Sequence, residues 1–341
     1  MAPPPIGMAG PLQAWLLVLL ACLLDRLLGD PHGMLHPVQV MGGCIARLRR
    51  AAEVLCGESP RALRLAGLLI TALLVGGSAL AGWLLERAAA AVPILGLPLL
   101  LLALASALAG GSLARAVRGV LDALPDLPLA RSRLAWIVGR DVRDLPEAEI
   151  LRAAAETASE NAVDGLFAPL FWMVVGAALW GLQAGGTAPG PLTLAWAFKA
   201  ASTLDSMLGY RHGRLHWLGT AGARLDDGLT WIPCRLVAAS LPLAAGRPAG
   251  MLSGLRQALE EGAPDPSPNA GVSQAAFAHA ARVRLGGVNR YGDGLRAKPI
   301  LAPAQPPADA AGVERILALS DRLEQLWLAA AGLAALVLAW P

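Results

Sequence analysis

Three carboxylates at helical spacing mark the stretch of the chain best suited to chemistry. Glu156, Glu160 and Asp164 follow one another at intervals of four residues, so on a helix they share one face. Like charges at this spacing destabilise a helix unless a cation lies between them. The apolar run 166–182 follows at once, and uncompensated charge is costly there. The pattern favours a bound divalent cation, with a solvated helix start ahead of a membrane span as the alternative.

Two further ionisable residues lie inside an apolar run. Lys199 and Asp205 fall within residues 192–208, and charged side chains at such depth are rare and usually functional. Their separation of six residues does not place them on one helical face, so the spacing does not establish an ion pair. The run therefore predicts a membrane segment that contributes to a site.

A third group lies where the first apolar run meets a loop rich in Pro and Gly. Asp25 is near the end of the run, and Asp30 and His36 follow in the loop. The two aspartates are suited to holding a metal, but Asp30 is equally suited to capping the next helix. Loop architecture and substrate contact remain equal alternatives for all three residues.

The polar segments repeat the same three ingredients: acids, arginines and Gly-rich turns. Acids bind Mg²⁺, arginines bind phosphate, and glycines let backbone N–H groups approach oxyanions. A Walker A loop is excluded because Lys199 and Lys298, the only lysines, do not follow glycine. The Rossmann fingerprint and the G-x-S-x-G elbow are also absent. The residues therefore indicate a membrane enzyme that handles phosphate at an unfamiliar site.

The composition indicates an integral membrane protein, in which helices must position these residues. Of 341 residues, 55% are hydrophobic and only 16% are charged, whereas soluble domains carry about 25% charge. We predict an all-α, polytopic membrane helical bundle whose cytoplasmic helical and loop regions form the active site. The predicted spans are 11–28, 65–85, 92–109, 166–182, 192–208 and 324–340, with 229–245 as a re-entrant segment or a further span.

The loops suggest how the chain is oriented and what it does not bind. Arginine-rich connections predict cytoplasmic loops, and residues 246–321 are expected to form a long cytoplasmic segment. Residues 286–294 are expected to form a Gly-rich loop within it. A net charge of +3, with basic residues scattered, argues against nucleic acid. The four cysteines form no close pair, so neither zinc nor a disulfide framework is indicated.

Five sequence blocks occur in order along nearly the whole chain. They are Leu24–Pro31 with His36–Val38; Gly139–Asp141; Glu156–Gly165 with Ala168–Phe171; Lys199–Tyr210 with Ala223–Asp227 and Trp231–Arg235; and Ser267–Gly271 with Arg284–Gly287 and Tyr291–Gly292. With these blocks the chain resembles the adenosylcobinamide-phosphate synthase family of cobalamin biosynthesis. His32, His212 and His216 are not part of the resemblance and receive no role.

The resemblance implies a ligase that joins a carboxylate of adenosylcobyric acid to 1-aminopropan-2-ol O-phosphate, or to threonine phosphate, with ATP and Mg²⁺. A free carboxylate is a poor acyl donor, because its leaving group would be oxide. Its conversion to an acyl phosphate supplies a good leaving group for attack by the amine. This chemistry would explain acids, arginines and glycines that converge without a catalytic Ser or Cys.

Roles within this reaction are assigned as a hypothesis. The expected metal ligands against the ATP phosphates are Glu156, Glu160, Asp164, Asp226 and Asp227. The expected catalytic residues are Lys199, Arg224 and Arg140, which neutralise phosphate charge, and Asp205 or Tyr210, which assists proton removal from the amine. The expected cofactor- and substrate-binding residues are Asn269, Gly286, Gly287, Arg235, Asp25, Asp30 and His36; Asn269 and the glycines would cradle phosphate of ATP or of the amino alcohol.

Two other functions are compatible with parts of the sequence. Asp164-Gly165 and Ala168 overlap the start of a CDP-alcohol phosphotransferase signature, but Pro169 replaces the expected Arg. A corrinoid transporter or binding protein would use tryptophans in the spans, although these are more often interfacial.

For the ligase, one catalytic domain over residues 1–341 is expected in the bacterial inner membrane, its site facing the cytoplasm. Homo-oligomerisation and contact with other cobalamin-pathway enzymes remain open.

Overall fold

The computed structural model describes residues 10–29, 36–182, 188–291 and 294–340. The helices are α1 (Pro11–Leu28), α2 (Pro37–Cys56), α3 (Pro60–Ala91), α4 (Pro93–Ala105), α5 (Gly110–Asp122), α6 (Leu127–Leu134), α7 (Glu147–Ala162), α8 (Ala168–Leu182), α9 (Pro191–Leu208), α10 (Leu215–Leu218), α11 (Thr220–Ala244), α12 (Met251–Gly262), α13 (Ala270–Ala281) and α14 (Ala310–Ala339). A π turn, Val163–Phe167, joins α7 to α8. Strands β1 (Leu285–Tyr291) and β2 (Gly294–Leu301) form an antiparallel hairpin.

Four helical segments in the described ranges are long and apolar enough to cross a membrane. They are Pro11–Leu28, Pro60–Ala91, Glu147–Leu182 and Ala310–Ala339, and α4 with α5 adds a fifth if that bent pair is one span. The prediction of an all-α polytopic membrane protein is confirmed. The individual span assignments stay predictions; α9, which carries Lys199 and Asp205, is not among these candidates.

The chain divides into two compact units. Unit 1 comprises Met1–Ala109, Ala168–Leu229 and Leu328–Pro341, and unit 2 comprises Gly110–Phe167 and Thr230–Trp327. The predicted single catalytic domain and the cytoplasmic position of residues 246–321 stay predictions. Each unit contains its own group of charged residues.

Small residues allow the helices of unit 1 to approach closely. A side chain at Gly67 on α3 would collide with the backbone carbonyl of Leu218, and one at Gly82 would press on the backbone of Thr193. Leu69 and Leu73 on α3 are exposed. This division, with small residues at contacts and leucines outside, is expected of helices that pack within lipid.

A buried carboxylate fixes the start of α9 in unit 1. Glu86 of α3 accepts hydrogen bonds from the backbone N–H groups of Gly190 at 3.1 Å, Leu192 at 2.7 Å and Thr193 at 3.1 Å. The Thr193 hydroxyl donates to the same carboxylate at 2.5 Å. The first N–H groups of a helix have no partner within it, and they favour negative charge. Glu86 therefore anchors the helix that carries Lys199 and Asp205.

In unit 2, α7 runs through the acidic stretch identified in the sequence. Pro146 is the N-cap, and Glu147 and Glu149 lie in the first turn, where acids favour the helix dipole. The helix carries Glu156 and Glu160, as predicted. Asp164 lies in the π turn, a feature that is rare and concentrated at functional sites.

The structure corrects the prediction of a Gly-rich loop at residues 286–294. Leu285–Tyr291 and Gly294–Leu301 are paired strands, and the hairpin tip lies outside the described residues. Gly286 and Gly287 have φ angles of 85° and 118°, and the register shifts between Leu285 and Gly287. Glycine inside a strand usually weakens it, but a β-bulge often needs a residue at positive φ, which glycine adopts without strain. The glycines therefore mark an irregularity within a strand rather than a loop.

Candidate functional site

A buried carboxylate lies between two arginines at the centre of unit 2. Arg140 Nη1 is 2.9 Å from Glu156 Oε2, and Arg152 Nη1 is 2.7 Å from Glu156 Oε1. The Arg140 and Glu156 side chains are only 6% and 8% exposed. Because buried charges are costly unless paired, each member of this group depends on the others. The sequence predicted a role for Arg140 and Glu156, and the structure brings both together.

The β-hairpin completes this group of charges. Asn289 Oδ1 accepts hydrogen bonds from both guanidinium groups, from Arg152 Nη2 at 2.9 Å and also from Arg140 Nη1. The backbone N–H of Gly286 donates to Glu156 Oε1 at 3.0 Å. Strand β1 is therefore fixed to α7 through the Asn289 side-chain amide and the Gly286 backbone N–H. We call Arg140, Arg152, Glu156 and Asn289 the arginine–glutamate group.

An open cleft of about 550 Å³ lies beside this group, within unit 2. Arg152 and Arg284 provide cations, and Glu149 a carboxylate; Gly286 and Gly287 form part of the wall. Glu149 also accepts a hydrogen bond from Arg152 Nε at 3.0 Å. The volume of the cleft falls in the range typical of small-molecule sites. The predicted phosphate-binding glycines thus line a cleft that also contains two arginines.

A second polar group surrounds Glu160. Gln274 of α13 donates a hydrogen bond to Glu160 Oε2 at 2.6 Å, and Lys298 Nζ of β2 lies 3.3 Å from Asp265 Oδ2. Burial disfavours the charged form of Lys298, but the carboxylates of Glu160 and Asp265 outweigh this effect, so its pKa is raised. Lys298 therefore remains an ammonium group beside two acids. The sequence identified Glu160 but not its neighbours.

Asn269 and Arg235, both predicted to bind a cofactor, are direct partners in unit 2. Arg235 Nη1 donates to Asn269 Oδ1 at 2.6 Å, and Nη2 donates to the Pro268 carbonyl at 2.7 Å. The guanidinium also lies over the ring of Trp231, 4.6 Å from its centroid. These contacts fix the turn before α13. Phosphate binding by this pair stays a prediction.

In unit 1, the structure brings together the ionisable residues of α9 and α11. Burial raises the pKa of Asp226 to about 7; the charges of Asp205 and Asp227 add to the rise, and Lys199 opposes it. Burial also raises the pKa of Asp227, an effect that Arg211 opposes. The buried Asp226 Oδ1 has no hydrogen-bond partner in the described part of the chain. Such perturbed carboxylates cluster at functional sites.

The remaining predicted residues fall in varied surroundings. Arg224 and Tyr210 are exposed, and Asp25 is buried on α1. His36 is the N-cap of α2, where its Nδ1 accepts from the Val38 N–H at 3.3 Å, which favours a role in loop architecture. Asp30 lies outside the described residues. Their assigned roles, like that of Asp164, stay predictions.

The acids fit Mg²⁺ that arrives with a nucleotide better than they fit a dedicated metal centre. No group of three His, Cys, Asp or Glu side chains in the described ranges is arranged to hold a metal. In nucleotide sites, Mg²⁺ commonly takes one or two carboxylates and completes its shell with water and phosphate. Asp226, with its unpartnered oxygen, and the adjacent Asp227 suit this mode. Glu156 would have to release an arginine to bind metal.

Sequence reasoning missed several residues of these groups. Arg152 was detectable, because it precedes Glu156 by four residues on one helix. No comparable signal was available for Asn289 or Gln274, since each reaches its partner across more than 100 residues of chain. Lys298 likewise pairs with Asp265 from a separate part of the chain. Arg284 lies in a block of the resemblance but received no role.

Comparison with known proteins shows extensive similarity to one group. The family model described as "CobD/Cbib protein" matches residues 18–320. The cobalamin biosynthesis protein CobD of Synechocystis sp. is 38% identical over 322 residues, covering 93% of this chain and 90% of that protein. CobD of Pelobacter propionicus is 40% identical over 291 residues, 83% of each chain. CbiB of Salmonella choleraesuis is 37% identical over 307 residues, 88% of this chain and 91% of that protein. No solved structure matches.

Proposed function

The chain belongs to the CobD/CbiB family of cobalamin biosynthesis, and on this basis we propose that it is an ATP-dependent ligase. The reaction joins a carboxylate of adenosylcobyric acid to the amine of 1-aminopropan-2-ol O-phosphate, or of threonine phosphate. The product with the first amine is adenosylcobinamide phosphate. The observation that supports this most directly is the cleft, where arginines and glycines adjoin the buried arginine–glutamate group.

The chemistry proceeds in two balanced steps. The substrate carboxylate attacks the terminal phosphorus of ATP, which forms an acyl phosphate and releases ADP. The amine, after losing a proton, attacks the acyl carbon; the amide C–N bond forms and inorganic phosphate leaves. The enzyme must therefore neutralise phosphate charge in the first step and accept a proton in the second.

The two units offer residues for both requirements. Arg152 and Arg284 line the cleft of unit 2 and suit phosphate oxygens, which guanidinium groups bind in a bidentate manner. Asp205 and Tyr210 are retained as candidates for proton removal from the amine, and Lys199, Arg140 and Arg224 as candidates for charge neutralisation.

ATP and Mg²⁺ would supply the phosphoryl group and screen its charge. Asp226 and Asp227 are the acids best suited to Mg²⁺, because Asp226 Oδ1 has no hydrogen-bond partner among the described residues and Asp227 is adjacent. The Glu160 carboxylate lies near Lys298 and accepts a hydrogen bond from Gln274. It would therefore orient these groups, and it would bind Mg²⁺ only if they moved away. We place the site on the cytoplasmic side of the bacterial inner membrane, where ATP is available.

The decisive experiment uses the purified full-length chain in lipid nanodiscs. ADP release is measured with adenosylcobyric acid, with and without 1-aminopropan-2-ol O-phosphate. The proposal predicts sustained ATP consumption only when both substrates are present, with one ADP released for each amide formed. Amide formation without ATP, or corrinoid binding without any turnover in the presence of both substrates, would refute it.

A further inference from the structure

The cleft beside Gly286 and Gly287 contains an arginine, Arg284, that has no ion-pair partner among the described residues. Arg284 is exposed, and its guanidinium makes no hydrogen bond or ion pair with any described residue. Arg152, on the same cleft, is already bound to Glu149 and Glu156. Since a guanidinium that is left unpaired in a cleft suits an anionic ligand, Arg284 marks the point where phosphate would bind.

The main chain around Arg284 is held in place before any ligand binds. Its backbone N–H donates to the Pro306 carbonyl at 2.7 Å, and the chain at Arg284 bridges to Pro307 in parallel. Gly287, at positive φ, has no side chain, and one added there would lie 3.8 Å from the Arg152 guanidinium carbon. The absence of a side chain leaves the space beside the Arg152 guanidinium and Ile300 open. The cleft is therefore preorganised, which reduces the entropic cost of binding.

The cleft is also lined by apolar side chains. Val288 and Ile300 line it and are 57% and 48% exposed, with Pro307 and Ala308 beside them. A small amino-alcohol phosphate is polar at both ends and would leave these side chains in water. A nucleoside triphosphate has an anionic end for Arg284 and a flat, weakly polar base that covers apolar side chains. A volume of about 550 Å³ also suits the larger ligand.

We propose that this cleft is the nucleoside triphosphate site, with Arg284 as the phosphate anchor and Val288 and Ile300 as the base platform. The inference rests on the proposed function and resolves which of the two phosphate substrates the Gly286–Gly287 strand receives. The amino-alcohol phosphate then binds outside this cleft. Arg284 is a binding residue that determines affinity for the nucleotide.

Binding of a fluorescent ATP analogue to the full-length protein in nanodiscs tests the anchor. Arg284→Gln should weaken binding of the analogue about tenfold, because a charge-assisted phosphate contact is lost. Inorganic tripolyphosphate, used as a competitor, should lose affinity to the same extent. In the ligation assay, KM for ATP should rise while KM for the amino-alcohol phosphate stays unchanged. Arg256→Gln is the matched control, since Arg256 is an exposed arginine paired with Glu260 on α12.

A second variant separates the base platform from the anchor. Ile300→Ser removes apolar surface from the wall and should weaken binding of the ATP analogue several-fold. It should leave competition by tripolyphosphate unchanged, because the phosphate contacts remain. Ile300 is half exposed, so this substitution does not open a cavity in the core.

The outcomes distinguish this inference from the function on which it rests. If Arg284→Gln raises KM for the amino-alcohol phosphate and leaves nucleotide binding unchanged, the cleft holds the other substrate and the inference is wrong. Unchanged nucleotide binding in both variants, with normal ATP-dependent ligation, also overturns it while the proposed function stands. A wild-type protein that neither binds nucleotide nor consumes ATP would overturn both.

Discussion

Arg152 and Glu156 lie one turn apart on α7, with Arg152 Nη1 2.7 Å from Glu156 Oε1, and Arg140 binds the other oxygen of the same carboxylate. One acid thus balances two buried cations from different parts of the chain. A pair on a single helix usually contributes little when it is exposed. Here burial raises the cost of removing Glu156, because Arg140 would lose its carboxylate partner and Arg152 would keep only Glu149.

Glu156→Gln should therefore destabilise the protein, by about 3 kcal/mol if the two arginines stay buried. The amide would keep the shape of the side chain but remove its charge. The midpoint of thermal unfolding in detergent measures the effect. Glu314→Gln is the matched control, because Glu314 pairs with Arg118 at 3.3 Å on an exposed surface. Equal midpoints for the two variants would show that the buried group does not stabilise the fold.

Glu160→Gln and Asp227→Asn address the predicted metal ligands. Each substitution removes a carboxylate assigned to Mg²⁺ in the predicted reaction, so ligation should fall at least tenfold, and the Mg²⁺ concentration for half-maximal rate should rise for Asp227→Asn. Initial rates over a Mg²⁺ titration measure both quantities. Glu58→Gln, at an exposed acid, serves as the control. Near-normal ligation by both variants would remove the metal assignment.

The helical part of the fold could be predicted because apolar length is visible in the sequence. The prediction for residues 11–28 coincides with α1, and the helix expected after Pro146 runs through Glu156 and Glu160. Local caps and composition determine such elements, and neither requires knowledge of distant contacts. The family resemblance could be recognised for a related reason, because its blocks are local sequence patterns, and the match to the family model confirms it.

The contacts of the site could not be predicted in the same way. Asn289 accepts a hydrogen bond from Arg152, which lies 137 residues earlier in the chain. The glycines of residues 286–294 predict a loop, whereas the structure has a strand at Leu285–Tyr291. Glu86 was placed just outside the predicted span 65–85, although it is buried against the start of α9. Register and pairing of this kind depend on packing, which spacing along one chain does not reveal.

Gly286→Ala should destabilise the hairpin. Gly286 has φ 85°, and an added side chain would collide with the Pro299 carbonyl. We expect a loss of about 2 kcal/mol or more, together with weaker contact between Gly286 and Glu156. Gly139→Ala is the control, because no atom lies within 4 Å of a side chain added there. Thermal midpoints compare the two, and an unchanged midpoint for Gly286→Ala would contradict the assigned backbone geometry.

Glu86→Ala should loosen the start of α9. Three backbone N–H groups and the Thr193 hydroxyl would lose their acceptor in a buried position, at a cost of about 3 kcal/mol. Hydrogen exchange at residues 190–193 should increase, and ligation should fall because Lys199 and Asp205 lie on the same helix. Glu53→Ala, which removes a partly exposed ion pair with Arg49, is the comparison. Unaltered exchange would show that Glu86 does not hold the helix.

Cys234 provides a chemical probe of the turn at Asn269. Its Sγ donates to the Asn269 carbonyl at 3.3 Å, and the side chain is buried, which shields the thiol from solvent and reagent. The thiolate is the reactive form, so iodoacetamide at pH 8 should alkylate the half-buried Cys44 and Cys56 well before Cys234.

Arg235→Gln should accelerate alkylation of Cys234, because it removes the two hydrogen bonds that fix Asn269 and Pro268 beside the thiol. Peptide mapping by mass spectrometry at successive times gives the rate at each cysteine. The rates at Cys44 and Cys56 should be unchanged, since both lie in unit 1. Modification of Cys234 in the unaltered protein as fast as that of Cys44 would contradict the burial on which this reasoning depends.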